Sequence, residues 1–408
     1  MNSYIPADIR DFLEKSVGGN LDDFQVETHN KNTKGEGFLS EFLFVSLTNR
    51  KTNEVFHLAV KQALASGTET SLTFVNNLFH TELWFYEHIW PELRRFQDNF
   101  PNAKKFLCIP KVYAANEKKG SEKISFENME YQGFRNHDKS TYFRRRHLEY
   151  ILRTYGQFHA ISMAYRVLDP ENFRKICGSL VDNYKAFGEL QFFKRIIDYG
   201  CQTVLSTFDE MTEKEIIDKF RVYAEKGSHI LQETSRYNGK NQVVTHGDAW
   251  SNNLMFKYHE ESDDIEDIRI IDFQFSRVGT VVFDISFCIY DGVSGENLDD
   301  LDHYLRVYHQ SLSESLRKYN LDPEQVYSYD EFQQEWKRYS KFGLILAIMI
   351  QSFKNILPDS VPVVVDLIDK ARQDGNRKNN DEPFATNREK VMNAGRNLVL
   401  HFYGNDFL

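Results

Sequence analysis

The chain has 408 residues, 41% hydrophobic and 14% aromatic against 27% charged, long and apolar enough for two cores and unlike a disordered chain. A net charge of −10 excludes a general nucleic-acid binder, because phosphate backbones are held by clustered Lys and Arg. The longest apolar run, "FGLILAIMI" at 342–350, falls far short of the about 20 residues that span a bilayer, so a buried helix and no membrane association are expected.

At the amino terminus, "MNSYIPADIRDFLEKSVGG" carries charges where a signal peptide needs an unbroken apolar stretch. Cys108, Cys177, Cys201 and Cys288 are widely spaced with no CxxC pair, which suggests neither a zinc site nor a disulfide framework; a reducing, cytoplasmic setting is expected. Gly35 and Gly37 lie just before the first long strand candidate, "FLSEFLFVSL" at 38–47, and "VFHLAVKQAL" at 55–64 is the second, with "TNRKTNE" as the turn. A helix follows, since Leu72, Val75, Leu78, Phe79, Tyr86 and Ile89 fall near helical spacing. "FLCIPKVYAA" at 106–115 and "KISFENM" at 123–129 read as further strands, ahead of a connector at 129–136. From about residue 140 the chain reads as helix, interrupted by strand-like pieces at 242–246, 253–257 and 268–272. Two charged runs read as solvated surface, Arg144-Arg145-Arg146 as a helix face and "HEESDDIEDI" as a hairpin loop.

"VVTHGDAWSNNLMF" at 243–256 sets an acid and two amides between segments that both look buried. The step from Asp248 to Asn253 lets one loop carry a carboxylate toward a hydroxyl and an amide oxygen toward a cation, and Asp272 in "IRIIDFQF" arrives at the end of the partner strand. Asn and Asp oxygens are hard donors that suit Mg²⁺ held against phosphate, and an acid beside such a metal is the arrangement of phosphoryl transfer. Turn capping in an ordinary hairpin competes with this reading, and the upstream residues weigh against it. Lys61 lies inside "LAVKQAL", where a charge among apolar residues needs a partner. Glu82 shares a helix face with Leu78, Phe79, Phe85, Tyr86 and Ile89 and is the preferred partner, with Glu87 as the alternative. A Lys–Glu pair of this kind holds an ammonium against the α- and β-phosphates. Gly35 and Gly37 would let backbone N–H groups approach a phosphate. An ATP site is the expectation.

These residues, with "VKQA", "FENMEYQGFR" and "FHAISM" (158–163), resemble the ecdysteroid kinase-like family, a group in the choline-kinase-like and aminoglycoside-phosphotransferase-like branch of the protein-kinase fold. The resemblance runs from about residue 33 to 350 and is strongest at "HGDAWSNNLMF" and "IIDFQ", with Trp250 the diagnostic position. It implies an α+β, bilobal protein-kinase-like fold, with a sheet-rich N-lobe over 1–129 and a mainly helical C-lobe over 130–408. It further implies Asp248 as the catalytic Asp, Asn253 and Asp272 as Mg²⁺ ligands, and Lys61 as a phosphate contact oriented by Glu82. The connector backbone near Glu127 and Met129 would hold adenine, and His246 and Asp284 would brace the loop. Gly247 stands where protein kinases carry Arg, "DFQ" replaces "DFG", and no Ala-Pro-Glu segment follows, so a small-molecule acceptor is favoured over a protein. The implied activity is transfer of the γ-phosphoryl of ATP to a hydroxyl of an ecdysteroid, steroid-like or xenobiotic alcohol, with the aromatic-rich region 165–240 walling the acceptor pocket. The alternatives are a choline, ethanolamine or aminoglycoside kinase, and a nucleotide-binding scaffold without catalysis.

Overall fold

The computed structural model describes residues 5–29, 40–63, 68–101, 103–118, 120–138, 141–234, 237–293, 295–355, 364–373 and 386–408. Helix α1 (Ala7–Val17) is followed by β1 (Phe24–His29), β2 (Ser40–Asn49) and β3 (Val55–Ala63). Helix α2 (Glu69–Trp84), whose first turn is capped by Thr68, runs through a π-turn at Phe85–Ile89 into α3 (Trp90–Asp98). With β4 (Val112–Asn116) and β5 (Lys123–Glu127) the strands form one antiparallel sheet in the order β1-β2-β3-β5-β4. Side chains alternate across a strand, and the two faces differ accordingly. Val45, Leu47, Leu58 and Val60 pack against Ile9, Phe12 and Leu13 of α1, whereas Phe42, Phe44, Ala59 and Lys61 face a cavity.

Beyond the connector come β6 (Arg135–Asn136), α4 (Arg145–Leu168), α5 (Pro170–Cys177), α6 (Asn183–Glu189), α7 (Gln191–Leu205), α8 (Lys214–Glu225) and α9 (Gly227–Thr234). The strands β7 (Val243–Thr245), β8 (Leu254–Tyr258), β9 (Ile265–Ile270) and β10 (Arg277–Gly279) carry the central loops; β7 pairs with β10, and β8 lies between β6 and β9. Helices α10 (Val282–Gly292), α11 (Leu301–Lys318), α12 (Pro323–Val326), α13 (Tyr329–Tyr339), α14 (Lys341–Lys354), α15 (Val364–Gln373) and α16 (Arg388–Gly404) complete the order. Every residue of α14 from Phe342 to Lys354 is buried, as expected of a helix that is apolar all round. The fold is therefore α+β and bilobal, with a sheet-rich N-lobe and a mainly helical C-lobe. No helix among the described residues is long and apolar enough to cross a membrane.

Three local expectations change. The stretch 106–115 is strand only from Val112; Pro110 has no N–H to give a ladder, and the Cys108 carbonyl instead accepts from Ile270 N–H at 2.8 Å, along the edge of β9. Helix α1 and strand β1 are additions to the expected elements. The acidic run divides, because Ile265 already begins β9. In its turn, Asp263 and Asp264 meet Arg144 at 3.3 Å and Arg146 at 2.9 Å, while Arg145 reaches Glu149 and Asp300 at 3.2 and 3.0 Å. In the basic run at the start of α4, Arg144 and Arg145 are exposed and Arg146 is half-buried, and each of the three charges has an acidic neighbour.

Candidate active site

Strand alternation turns Lys61 away from α1 and into the interior, where it is 3% exposed. A buried ammonium needs counter-charge, and Nζ lies 2.6 Å from Glu82 Oε2 and 2.8 Å from Asp272 Oδ1. Burial alone lowers a lysine's pKa; the carboxylates of Asp272 and Glu82 outweigh it here and raise it, so the ammonium stays charged. Burial pushes Glu82 up to about 7 against the pull of Lys61. Glu87, the alternative partner, is exposed on the π-turn with Glu117 as its neighbour. The structure thus brings Lys61, Glu82 and Asp272 together from β3, α2 and the segment after β9.

Asp272 lies two residues beyond β9 and not at its end, with φ of +67°, a left-handed conformation that Asp tolerates better than bulky residues. That turn drops Phe273 into the core, stacked on Phe85 of the π-turn at 3.7 Å. On the facing loop, the Asn253 amide donates to both the Asp248 carbonyl and Asp248 Oδ2 at 2.9 Å. This fixes the amide orientation and leaves the Asn253 oxygen as its other end. Burial, then the Asp272 charge, push Asp248 up to about 8, against hydrogen bonds from Asn253 and Trp250 and the charge of Lys61. The Asp272 carboxylate and the Asn253 amide oxygen are hard oxygen donors on facing loops, a set that fits Mg²⁺. Lys61 takes one oxygen of Asp272, whose side chain is 27% exposed and lines the cavity.

The backbone around Asp248 is held by Asp284, whose carboxylate accepts from His246 N–H at 2.7 Å, Gly247 N–H at 2.8 Å and His159 Nε2 at 3.0 Å. Burial would raise Asp284; the hydrogen bonds from His159 and from the Gly247 N–H outweigh it and lower it. His246 Nε2 faces the carbonyls of Ile271 and Asp272 at 2.9 and 3.2 Å, so it carries the proton, and Nδ1 accepts from Tyr155 O–H at 3.0 Å. Burial lowers its pKa, and a neutral imidazole bonded at both nitrogens ties the two loops together. Gly247 has φ of +86°, and a Cβ there would lie 2.0 Å from the Phe275 carbonyl oxygen. No arginine fits that position.

Lys61, Glu82, Asp248, Asn253 and Asp272 line one cavity of about 510 Å³, within the size range of small-molecule sites. Glu127 and Met129 of the connector line it too; Gly35 and Gly37 lie outside the described residues. Tyr184, Phe187 and Phe193 from the region 165–240 also line it, with Phe187 and Phe193 stacked at 3.6 Å. Leu346, Met349, Ile350 and Phe353 of α14 complete this apolar chamber. The spacing of these four is a helical stripe, and sequence alone cannot tell such a stripe from ordinary core. Sequence reasoning also missed His159, the third partner of Asp284, which stands second in "FHAISM".

The sequence model of the ecdysteroid kinase-like family matches residues 34–321. No curated protein matches the chain. Among solved structures, choline kinase from Cryptosporidium parvum Iowa II is similar at 12% identity and a TM-score of 0.42, covering 95% of this chain and 92% of its own. The GDP complex of wild-type aminoglycoside 2′-phosphotransferase-IIIa has 12% identity and a TM-score of 0.39, covering 94% and 93%. Likenesses this distant carry no argument about chemistry.

Proposed function

The chain belongs to the ecdysteroid kinase-like family, and from that premise we propose that it transfers the γ-phosphoryl group of ATP to a hydroxyl of a small, largely apolar molecule: an ecdysteroid, another steroid-like alcohol or a xenobiotic alcohol. The observation that carries this reading is one cavity in which the Lys61–Glu82–Asp272 bridge and the Asp248–Asn253 loop adjoin an apolar chamber. In this reading residues 1–129 are the nucleotide-binding N-lobe and 130–408 the C-lobe that carries the catalytic loop and the acceptor.

Lys61, held charged by Glu82, binds the α- and β-phosphates, and the connector near Glu127 and Met129 holds adenine. Asn253 and Asp272 would hold Mg²⁺, which would supply positive charge against the phosphate oxygens and against the repulsion between Asp248 and Asp272. Asp248 accepts the acceptor's hydroxyl proton at its carboxylate, with the Asn253 amide fixing its rotamer. The apolar chamber orients the acceptor and excludes water from the transfer.

Melting curves with Mg-ATP, with ATP plus chelator, and on Asp272→Ala test the nucleotide site; a hundredfold excess over Kd adds about 2.7 kcal/mol, and this shift should vanish with chelator or in the variant. Asp248→Asn should keep the shift yet lose about 10²- to 10⁴-fold in kcat; near-wild-type turnover would sink the assignment. A second reading has Glu130 and Asp138 in its favour, acidic residues on the same cavity that suit a choline, ethanolamine or aminoglycoside cation. Product from amines alone in an acceptor panel would establish it over the apolar alcohols.

A further inference from the structure

Three consecutive residues at the start of α6 bond to segments that flank Glu82, Asp272 and Asp248. Asp182 accepts from Arg277 Nη1 at 2.9 Å. Asn183 Nδ2 donates both to Thr81 Oγ1 at 2.9 Å and to the Gln274 carbonyl at 3.1 Å. Tyr184 O–H donates to the Gly247 carbonyl at 2.6 Å while its ring lines the apolar chamber. Thr81 precedes Glu82, Gln274 follows Asp272 by two, and Gly247 precedes Asp248. The Asn183 amide therefore bridges the same two segments, α2 and the stretch after β9, that Lys61 bridges from the sheet side.

Two hydrogens on one planar amide fix their acceptors about 5 Å apart, so a shift of either segment by an ångström breaks one bond. The carbonyl acceptor at Gln274 also fixes which end of the amide is nitrogen. Asn183 is 2% exposed, and its Oδ1 has no donor among the described residues. An unsatisfied buried carbonyl destabilises the fold, and a leucine of similar size would pack without that cost. Packing alone does not account for an asparagine here.

We propose that Asp182-Asn183-Tyr184 is a clamp in which Asn183 sets the separation of Glu82 and Asp272 around Lys61 and Tyr184 sets the Asp248 loop against the acceptor wall. Both are positioning residues, and the proposal rests on the phosphotransfer reading of the site. The helical region that walls the acceptor thereby belongs to the nucleotide machinery.

The test is calorimetric Kd for Mg-ATP on wild type, Asn183→Leu, Glu82→Gln and the double variant, with Tyr184→Phe beside them. Asn183→Leu should weaken Mg-ATP about ten- to a hundredfold, as loss of an indirect support does, and add less than about twofold in the Glu82→Gln background, because coupled residues are not additive. Tyr184→Phe should keep Kd and lower turnover. Thr81→Val removes the same bond from its other end and takes over the test where Asn183→Leu does not fold. A wild type that does not bind Mg-ATP refutes the phosphotransfer reading and the clamp with it. Binding by wild type with Asn183→Leu and Thr81→Val unchanged, or losses that multiply fully in the double variant, overturns the clamp alone.

Discussion

Two backbone N–H groups and one imidazole converge on the Asp284 carboxylate, so its removal strands three buried donors. Asp284→Asn keeps the size but turns an amide N–H toward donors, and breaking a buried charged network of this kind costs about 3 to 5 kcal/mol. Its native pKa is lowered, so the stabilisation is fully present above the ordinary Asp value of about 3.9 and is lost as pH falls through the lower native value. Melting of the variant should trail wild type by several degrees at neutral pH, with the gap closing below about pH 4; a constant gap would mean that the charge is not the source. At this scale the sequence was informative where a charge sits among apolar neighbours, as for Lys61 in "LAVKQAL" and Glu82 beside Leu78 and Tyr86. It was silent on Asn183 and Tyr184, because their partners lie 102, 91 and 63 residues away in the chain.

The π-turn at Phe85–Ile89 inserts an extra residue between α2 and α3, and such a bulge rotates the helix on its C-terminal side. Here the rotation lets Phe85 stack on Phe273 while Trp90, Leu93 and Phe96 all reach the core. Deleting His88, which is exposed, should restore α-helical phase and turn α3 by about 100°, pulling those three side chains from their pockets. We expect a loss of at least about 4 kcal/mol from the deletion, against less than about 0.5 kcal/mol for His88→Ala. Equal melting points for the two would show that phase at this turn is immaterial. Periodicity marked the helix, since Leu78, Phe79, Tyr86 and Ile89 sit near helical spacing, but it does not resolve one added residue. It also cannot separate α14 as cavity wall from α14 as core, because both demand the same apolar stripe.

The change from alternating strands to long helices near residue 140 made both lobes legible, since each period is set by backbone geometry. How they enclose one cavity depends on long-range contacts that no window of sequence contains. The Arg144–Arg146 run is matched by Asp263, Asp264, Glu149 and Asp300, and Lys61 is matched by two carboxylates, on a chain of net charge −10. On the phosphotransfer reading, Mg-ATP is itself anionic and approaches a chain whose net charge has the same sign. Diffusional encounter is then slowed, and salt that shortens the Debye length to about 8 Å at 0.15 M relieves the slowing. In stopped-flow mixing the association rate of Mg-ATP should climb as ionic strength rises, the reverse of an enzyme that draws its nucleotide in, and a falling rate would reveal a local positive funnel instead. With its basic run already matched by carboxylates, the chain offers that anion only a net negative charge, so on this reading added salt speeds the capture of Mg-ATP.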